Sequence, residues 1–256
     1  MGKNIYRGRY FMETYDMLKQ KFKNVKNQGY IKSQGKNKNS VGMTLENALG
    51  ACGGDFNIPD FYDIEIKAVR GYYDAEFDLF NSAPDGKYIN STQWISENFG
   101  YPDRDYKNIK VFKGNIYGNS IKRIGMIYRF KLKVDREEQR IYLEIYDLDY
   151  KIINEDIYWD FDTLKEKLVR KDSKLAIFWY CKRKINSEDY FYFYNMKFYK
   201  LISFEKFLDA IDKGVIFVTF KTGVNKSGPH IGKYTDHGTS FRISKENIRE
   251  LFIDCT

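Results

Sequence analysis

The chain is poor in residues that mark several common protein classes. Three cysteines, Cys52, Cys181 and Cys255, are scattered over 256 residues. With no C-x-x-C spacing they give neither a disulfide framework nor a zinc ribbon, and a reducing cytoplasm is the expected compartment. Histidine is scarcer still: His230 and His237 stand seven apart with no third ligand nearby, so a histidine-based metal centre is unsupported. No stretch approaches the ~20 apolar residues of a membrane span, and the polar, charged start lacks a signal core. No membrane residence is expected. Acids are nearly missing from the first forty positions, where Lys3, Arg7, Arg9, Lys19, Lys21, Lys23, Lys26, Lys32, Lys36 and Lys38 face only Glu13 and Asp16.

That imbalance alone equals the formal net charge of +8. A basic excess favours polyanionic partners and says nothing about fold. A solvated surface is the plain reading; contact with nucleic-acid phosphates is the functional one. Apolar residues at 43% are enough for a globular core, and the length suits one large domain or two small ones. The 18% of aromatics fits core and cross-strand packing better than base stacking.

The informative stretch runs from Gly29 to Arg70. Val41 to Leu49 reads as a helix with Leu45 and Leu49 on one apolar stripe, Glu46 at the edge of that stripe and Gly50 as C-terminal stop. Gly53 and Gly54 mark a turn. Pro59 biases the chain toward extended geometry, and Asp60 follows it. From Phe61 to Val69 the residues alternate as in a half-buried strand, so Glu65 and Lys67 share a face roughly 6–7 Å apart. Asp60 can curl toward that face and Glu46 can reach it from the helix. Carboxylates with free oxygens suit Mg²⁺, which takes one or two of them and keeps several waters. Such an ion polarises a phosphodiester and lowers the pKa of a bound water, while Lys67 brings positive charge to the transition state or holds the attacking water. The plain alternative is ordinary: outward charges on a strand usually meet solvent, Asp60 closes a turn and Glu46 is a solvated helix residue.

The pattern P-D followed by E-x-K on a strand, here Asp60, Glu65 and Lys67, resembles the PD-(D/E)xK nuclease core. V-G-M-T-L-E-N-A-L-G (Val41 to Gly50) ahead of it looks like the MutH branch of that superfamily. The lead-in G-Y-I-K-S (Gly29 to Ser33), the chain length and D-H-G-T-S-F-R (Asp236 to Arg242) look most like MvaI/BcnI-type restriction endonucleases. The resemblance lies in motifs toward both ends of the chain; the middle is not matched. It implies that Asp60 and Glu65, with Glu46 assisting, bind a divalent metal and that Lys67 is catalytic. It also implies cleavage of double-stranded DNA at a short site, with monomeric action as the rule and a dimer left open.

In chain order, Tyr6 to Lys23 predicts a helix, and Gln28 to Ser40 a polar loop whose Lys36 and Lys38 can lie along a DNA backbone. Ala75 to Asn81 predicts a strand that pairs as a hairpin with the Glu65/Lys67 strand. Ser91 caps a helix to Phe99. Strands at Ile109 to Tyr117, Gly125 to Val134 and Arg140 to Tyr146 form an antiparallel meander. Asp162 caps a helix to Arg170. An aromatic strand pair covers Leu175 to Lys184 and Tyr190 to Leu201. Ser203 caps a helix ended by Gly214, and Val215 to Lys221 forms a central strand. Lys221 to Arg242 changes to a Gly-, Ser- and Lys-rich loop suited to recognition. There His237, Arg242, His230, Lys226, Lys221 and Lys233 are candidates for base or phosphate contacts. Ser244 caps a final helix.

The expected fold is α/β (α+β): a restriction-endonuclease-like core with a mixed, mostly antiparallel sheet flanked by helices. It is one nuclease domain with a catalytic lobe over about 1–150 and a recognition lobe over about 151–256. The expected function is that of a Mg²⁺-dependent, type II, site-specific DNA endonuclease. Two alternatives use the same stretch: a MutH-like repair enzyme that nicks DNA at a partner's demand, and a non-catalytic nucleic-acid-binding module with structural carboxylates. The target sequence, cut position, end type and methylation sensitivity are not encoded legibly.

Overall fold

The computed structural model describes residues 2–36, 39–51, 59–71 and 76–256. Lys38, Cys52 and the Gly53-Gly54 turn lie outside the described residues. Gly2–Asn27 forms α1, Ile31–Lys32 β1, Ser40–Leu49 α2 and Glu65–Arg70 β2. Glu76–Asn81 is β3, Asp85–Gly86 β4 and Ser91–Phe99 α3. Then come β5 (Tyr101–Pro102), β6 (Lys110–Val111), β7 (Lys113–Tyr117), β8 (Lys122–Ile124), β9 (Tyr128–Asp135) and β10 (Arg140–Tyr146). β11 (Ile152–Asn154), β12 (Ile157–Asp160) and α4 (Phe161–Asp172) lead to β13 (Lys174–Ile185) and β14 (Glu188–Leu201). Next are α5 (Phe204–Asp212), β15 (Ile216–Val224), β16 (Tyr234–Ser244), α6 (Ile248–Leu251) and β17 (Phe252–Asp254).

The chain does not divide at one boundary near residue 150. It forms two compact units, and each is discontinuous in sequence. The first comprises residues 1–75, 170–201 and 252–256; the second comprises 76–169 and 202–251.

The first unit is built on the sheet β1-β14-β13-β2, with β17 also paired to β14. All its pairs are antiparallel except β2 with β13, which runs parallel and sets Glu65 opposite Leu175 and Lys67 opposite Ile177. A parallel pair needs a long crossover rather than a hairpin, so the predicted hairpin of β2 with β3 does not form. β3 pairs with β16 in the other unit. One sheet face carries Ile66, Ala176, Phe178, Phe191, Phe193 and Phe198 and packs with Leu18, Val25, Leu45 and Leu49 of α1 and α2. Each large side chain that is fully buried there contributes about 1.5–3 kcal/mol. The aromatic strand pair therefore builds core, as its pattern implies. Its hairpin turns through Asn186 (φ 50°) and Ser187 (φ 65°), the two positive φ angles of the tight turn that matches strand twist.

The second unit contains a six-stranded sheet, β4-β12-β10-β9-β8 with β11 on β10, and a four-stranded sheet, β3-β16-β15-β7. Trp159, Phe112, Phe130, Phe207, Phe220 and Phe241 are fully buried in it, and the Trp159 indole donates to the Ser82 carbonyl at 3.0 Å. The β9–β10 pair forms as expected, but β7 leaves the meander to pair with β15. The Ser203 hydroxyl accepts from the Lys206 N–H and caps α5. Ser91 and Ser244 do not cap in this way; the Ser91 hydroxyl instead donates to the Tyr88 carbonyl at 2.9 Å. The predicted recognition loop is mostly a hairpin: β15 runs on to Val224 and β16 starts at Tyr234, leaving residues 225–233 as the connection.

Candidate active site

The first unit's second sheet face begins with Glu65 and Lys67, side by side on β2. Glu65 is 2% exposed. A carboxylate that deep requires counter-charge, and it has two sources. The Lys67 ammonium donates to Oε1 at 2.7 Å, and Lys171 Nζ lies 3.4 Å from the same oxygen. Oε2 is buried without a hydrogen-bond partner. Lys171 comes from the last turn of α4, a position that no motif in the sequence marked.

Asp60 sits just ahead of β2, and its Oδ2 accepts the Ile66 N–H at 2.9 Å. The hydrogen bond ties the carboxylate to the start of the strand. Burial first, and the Glu65 charge second, push Asp60 up from 3.8 to about 6, against that hydrogen bond and Lys67. Glu46 projects from α2, whose C-terminal stop is Gly50 in the left-handed region (φ 66°). Only glycine adopts that geometry without strain. Glu46 is also raised, by burial and then by Glu65, with Lys67 and Lys171 opposing. Its Oε1 lies 3.4 Å from where a side chain at Gly42 would begin, so a small residue there leaves it room. Three acids and two ammonium groups thus share one electrostatic neighbourhood.

Among the described residues no three His, Cys, Asp or Glu groups stand close enough to form a ready cage for a metal ion. The donor set nevertheless fits a hard divalent cation that uses only one or two carboxylates. Glu65 Oε2 offers an unpartnered buried oxygen, and a cation would relieve the repulsion that raises Asp60 and Glu46. Glu46 stands in the same electrostatic field, raised by burial and by Glu65.

A family model described as the MvaI/BcnI restriction endonuclease family matches residues 19–252. The chain belongs to that family. Its activity is accordingly that of a type II, site-specific endonuclease acting on double-stranded DNA, and a divalent metal ion is the cofactor such enzymes use. The structure titled "Restriction endonuclease MvaI-cognate DNA substrate complex" is similar with a TM-score of 0.85 and 26% identity, covering 93% of this chain and 96% of that one. "Restriction endonuclease MvaI in the absence of DNA" is similar with a TM-score of 0.61 and 27% identity, over 94% and 96%. No curated protein matches.

Within the MvaI/BcnI frame, the predicted DNA-contacting residues fall into two groups. His230, His237 and Lys233 are exposed on the β15–β16 hairpin of the second unit, and Lys36 is exposed in the first. The rest are held by neighbouring acids. Lys221 donates to Asp78 at 3.1 Å and to Ser240 at 2.6 Å. Arg242 lies within β16, not on a loop; it donates to Glu76 at 3.0 Å, and its Nε lies 2.8 Å from Asp78 Oδ1 without hydrogen-bond geometry. Lys226 reaches Asp103 at 2.6 Å and Asp105 at 3.0 Å, with its ammonium 4.8 Å from the Tyr106 ring centroid. The hydrogen bond from Lys226, then that from the Asp105 N–H, holds Asp103 down at about 2. These contacts fix the hairpin's shape before any ligand arrives. Among the described residues no helix is long and apolar enough to cross a membrane.

Proposed function

We propose that the protein hydrolyses DNA with Mg²⁺ held by Asp60 and Glu65, with Glu46 adjusting the charge beside them. The observation that carries this is the buried, unpartnered Oε2 of Glu65, whose other oxygen holds two ammonium groups, in a neighbourhood where Asp60 is raised to about 6. When bound, the ion supplies Lewis-acid charge to the phosphate under attack. Asp60, anchored by the Ile66 N–H, fixes where the carboxylates present their oxygens. Lys67 orients the attacking water or meets the charge that gathers on the phosphate. The first unit would do the cutting. The second would read the site, with His237 and His230 facing base edges and Lys233 the backbone. Lys226, Lys221 and Arg242 would serve by holding that surface in shape or by exchanging an acid for a phosphate. Lys36 and Lys38 would lie along the DNA backbone. The enzyme would work as a monomer in the cytoplasm. Nicking for a repair partner would use the same residues, but the family match favours restriction.

The test is incubation of the purified chain with plasmid DNA and Mg²⁺, followed by sequencing of the ends. Defined cuts at one short sequence, without added proteins, are expected. Lys67→Ala and Asp60→Ala should abolish cutting and retain DNA binding. Full activity in either variant would refute the assignment.

A further inference from the structure

Lys171 enters none of the motifs above, yet the fold delivers it to Glu65. It lies in the last turn of α4, and the chain then turns at Ser173 into β13. Leu175 of β13 is the register partner of Glu65. The corner between α4 and β13 therefore fixes Lys171 beside Glu65 through the backbone. Its side chain is 21% exposed, about as enclosed as that of Lys67. Helix C-termini favour cations, but Arg170 occupies the same turn; Lys171 additionally contacts the buried carboxylate and enters the field of Glu46.

Both ammonium groups converge on Oε1 and leave Oε2 alone. If Lys67 is to act on water or phosphate, it must loosen its hold on Oε1, and a carboxylate buried at 2% exposure then needs another partner. We infer that Lys171 is a positioning residue of the cleavage reaction: it retains Glu65 Oε1 while Lys67 works, keeping Oε2 turned toward its ligand. The inference rests on the reading of Lys67 given above.

Single-turnover cleavage of supercoiled plasmid by the full-length protein provides the test, with Lys171→Met, Lys171→Arg and Lys67→Ala compared. Lys171→Met should slow the step by about 10- to 100-fold, the effect typical of groups that orient metal ligands. Metal-free DNA affinity should not change. Lys171→Arg should recover most of the rate, because a guanidinium can hold the same oxygen. Calorimetric titration with Mn²⁺ gives a readout independent of turnover: loss of the group that keeps Oε2 turned toward its ligand should weaken Mn²⁺ binding in Lys171→Met by about 10- to 100-fold, and Lys171→Arg should restore it. A merely structural lysine would leave Mn²⁺ affinity unchanged, and one acting only as a nearby positive charge would tighten it on removal; either result overturns the inference. A Lys171→Met rate equal to wild type, or no recovery in Lys171→Arg, overturns the inference. If Lys67→Ala cuts normally, the reading of Lys67 fails first; if Lys67→Ala is inactive and Lys171→Met is not, only the role of Lys171 fails.

Discussion

Lys67 Nζ lies 2.7 Å from Glu65 Oε1, two residues away on the same strand. The residue expected to assist hydrolysis thus also neutralises the carboxylate expected to hold the ion. Replacing Glu65 with Gln should have two effects. It should end cleavage, and it should leave Lys67 and Lys171 without their shared counter-charge. The second should cost about 2–3 kcal/mol, near the low end for a broken buried pair because both ammonium groups keep some contact with water. Chemical denaturation in the presence of a chelator measures it; unchanged stability would show that the two lysines do not depend on Glu65.

Asp60 should behave in the opposite way. Its folded value, about 6, lies above the ordinary 3.8 because of burial and then the Glu65 charge. The folded protein therefore holds this proton more tightly than the unfolded chain. The resulting stabilisation is complete below about pH 4 and is lost as pH rises through about 6. Asp60→Asn keeps an oxygen for the Ile66 N–H and removes the charge. In metal-free protein it should match wild type at pH 5 more closely than at pH 8, where it should be more stable by about 1 kcal/mol after allowance for solvent screening. Equal melting temperatures at pH 8 would contradict this.

A divalent ion should act through the same group. Added Mg²⁺ should raise the melting temperature of the wild type at pH 8, because it binds only the folded chain, and should have little effect on Asp60→Asn. Chelation should halt cutting without changing the far-ultraviolet circular dichroism. Equal shifts in both proteins would place the ion elsewhere.

The hairpin lock makes a separate prediction. Lys226 holds Asp103 and Asp105, and Asp103 is depressed to about 2, chiefly by Lys226. Its support is present above the ordinary carboxylate value of 3.8 and fades as pH falls through about 2. Asp103→Asn and Lys226→Ala should each expose residues 225–233 to limited proteolysis at neutral pH. The double variant should be no more sensitive than either single one, the mark of a shared interaction. Additive sensitivity would indicate two independent supports.

The sequence showed local structure well and partnership poorly. The Leu45/Leu49 stripe, the Gly50 stop and the Ser203 cap depend on neighbours within a few residues, and all three appear as read. The P-D…E-x-K spacing placed Glu65 and Lys67 on one face for the same reason. What β2 pairs with was not legible, because periodicity reports which face is buried and not which strand lies alongside. The strand over Leu175 to Lys184 is legible in its aromatic pair, but its parallel pairing with β2, and with it the approach of Lys171 to Glu65, is not. Arg242 reads as a loop residue because Gly238, Thr239 and Ser240 dilute the strand pattern; Thr239 and Ser240 are buried in β16. Lys221 and Arg242 carried the right charge for DNA, but nothing in their own segment announced Glu76 and Asp78 on β3.

The parallel pairing of β2 with β13 has a consequence for the cell that makes this enzyme. Glu65 and Lys67 are translated long before Leu175 and Ile177, the residues that sit opposite them. Until that later segment leaves the ribosome, the strand bearing Glu65 and Lys67 lacks its parallel neighbour β13, and Lys171 has not arrived. The sheet position of Glu65 and Lys67 is therefore completed only after residues 174–185 have been made.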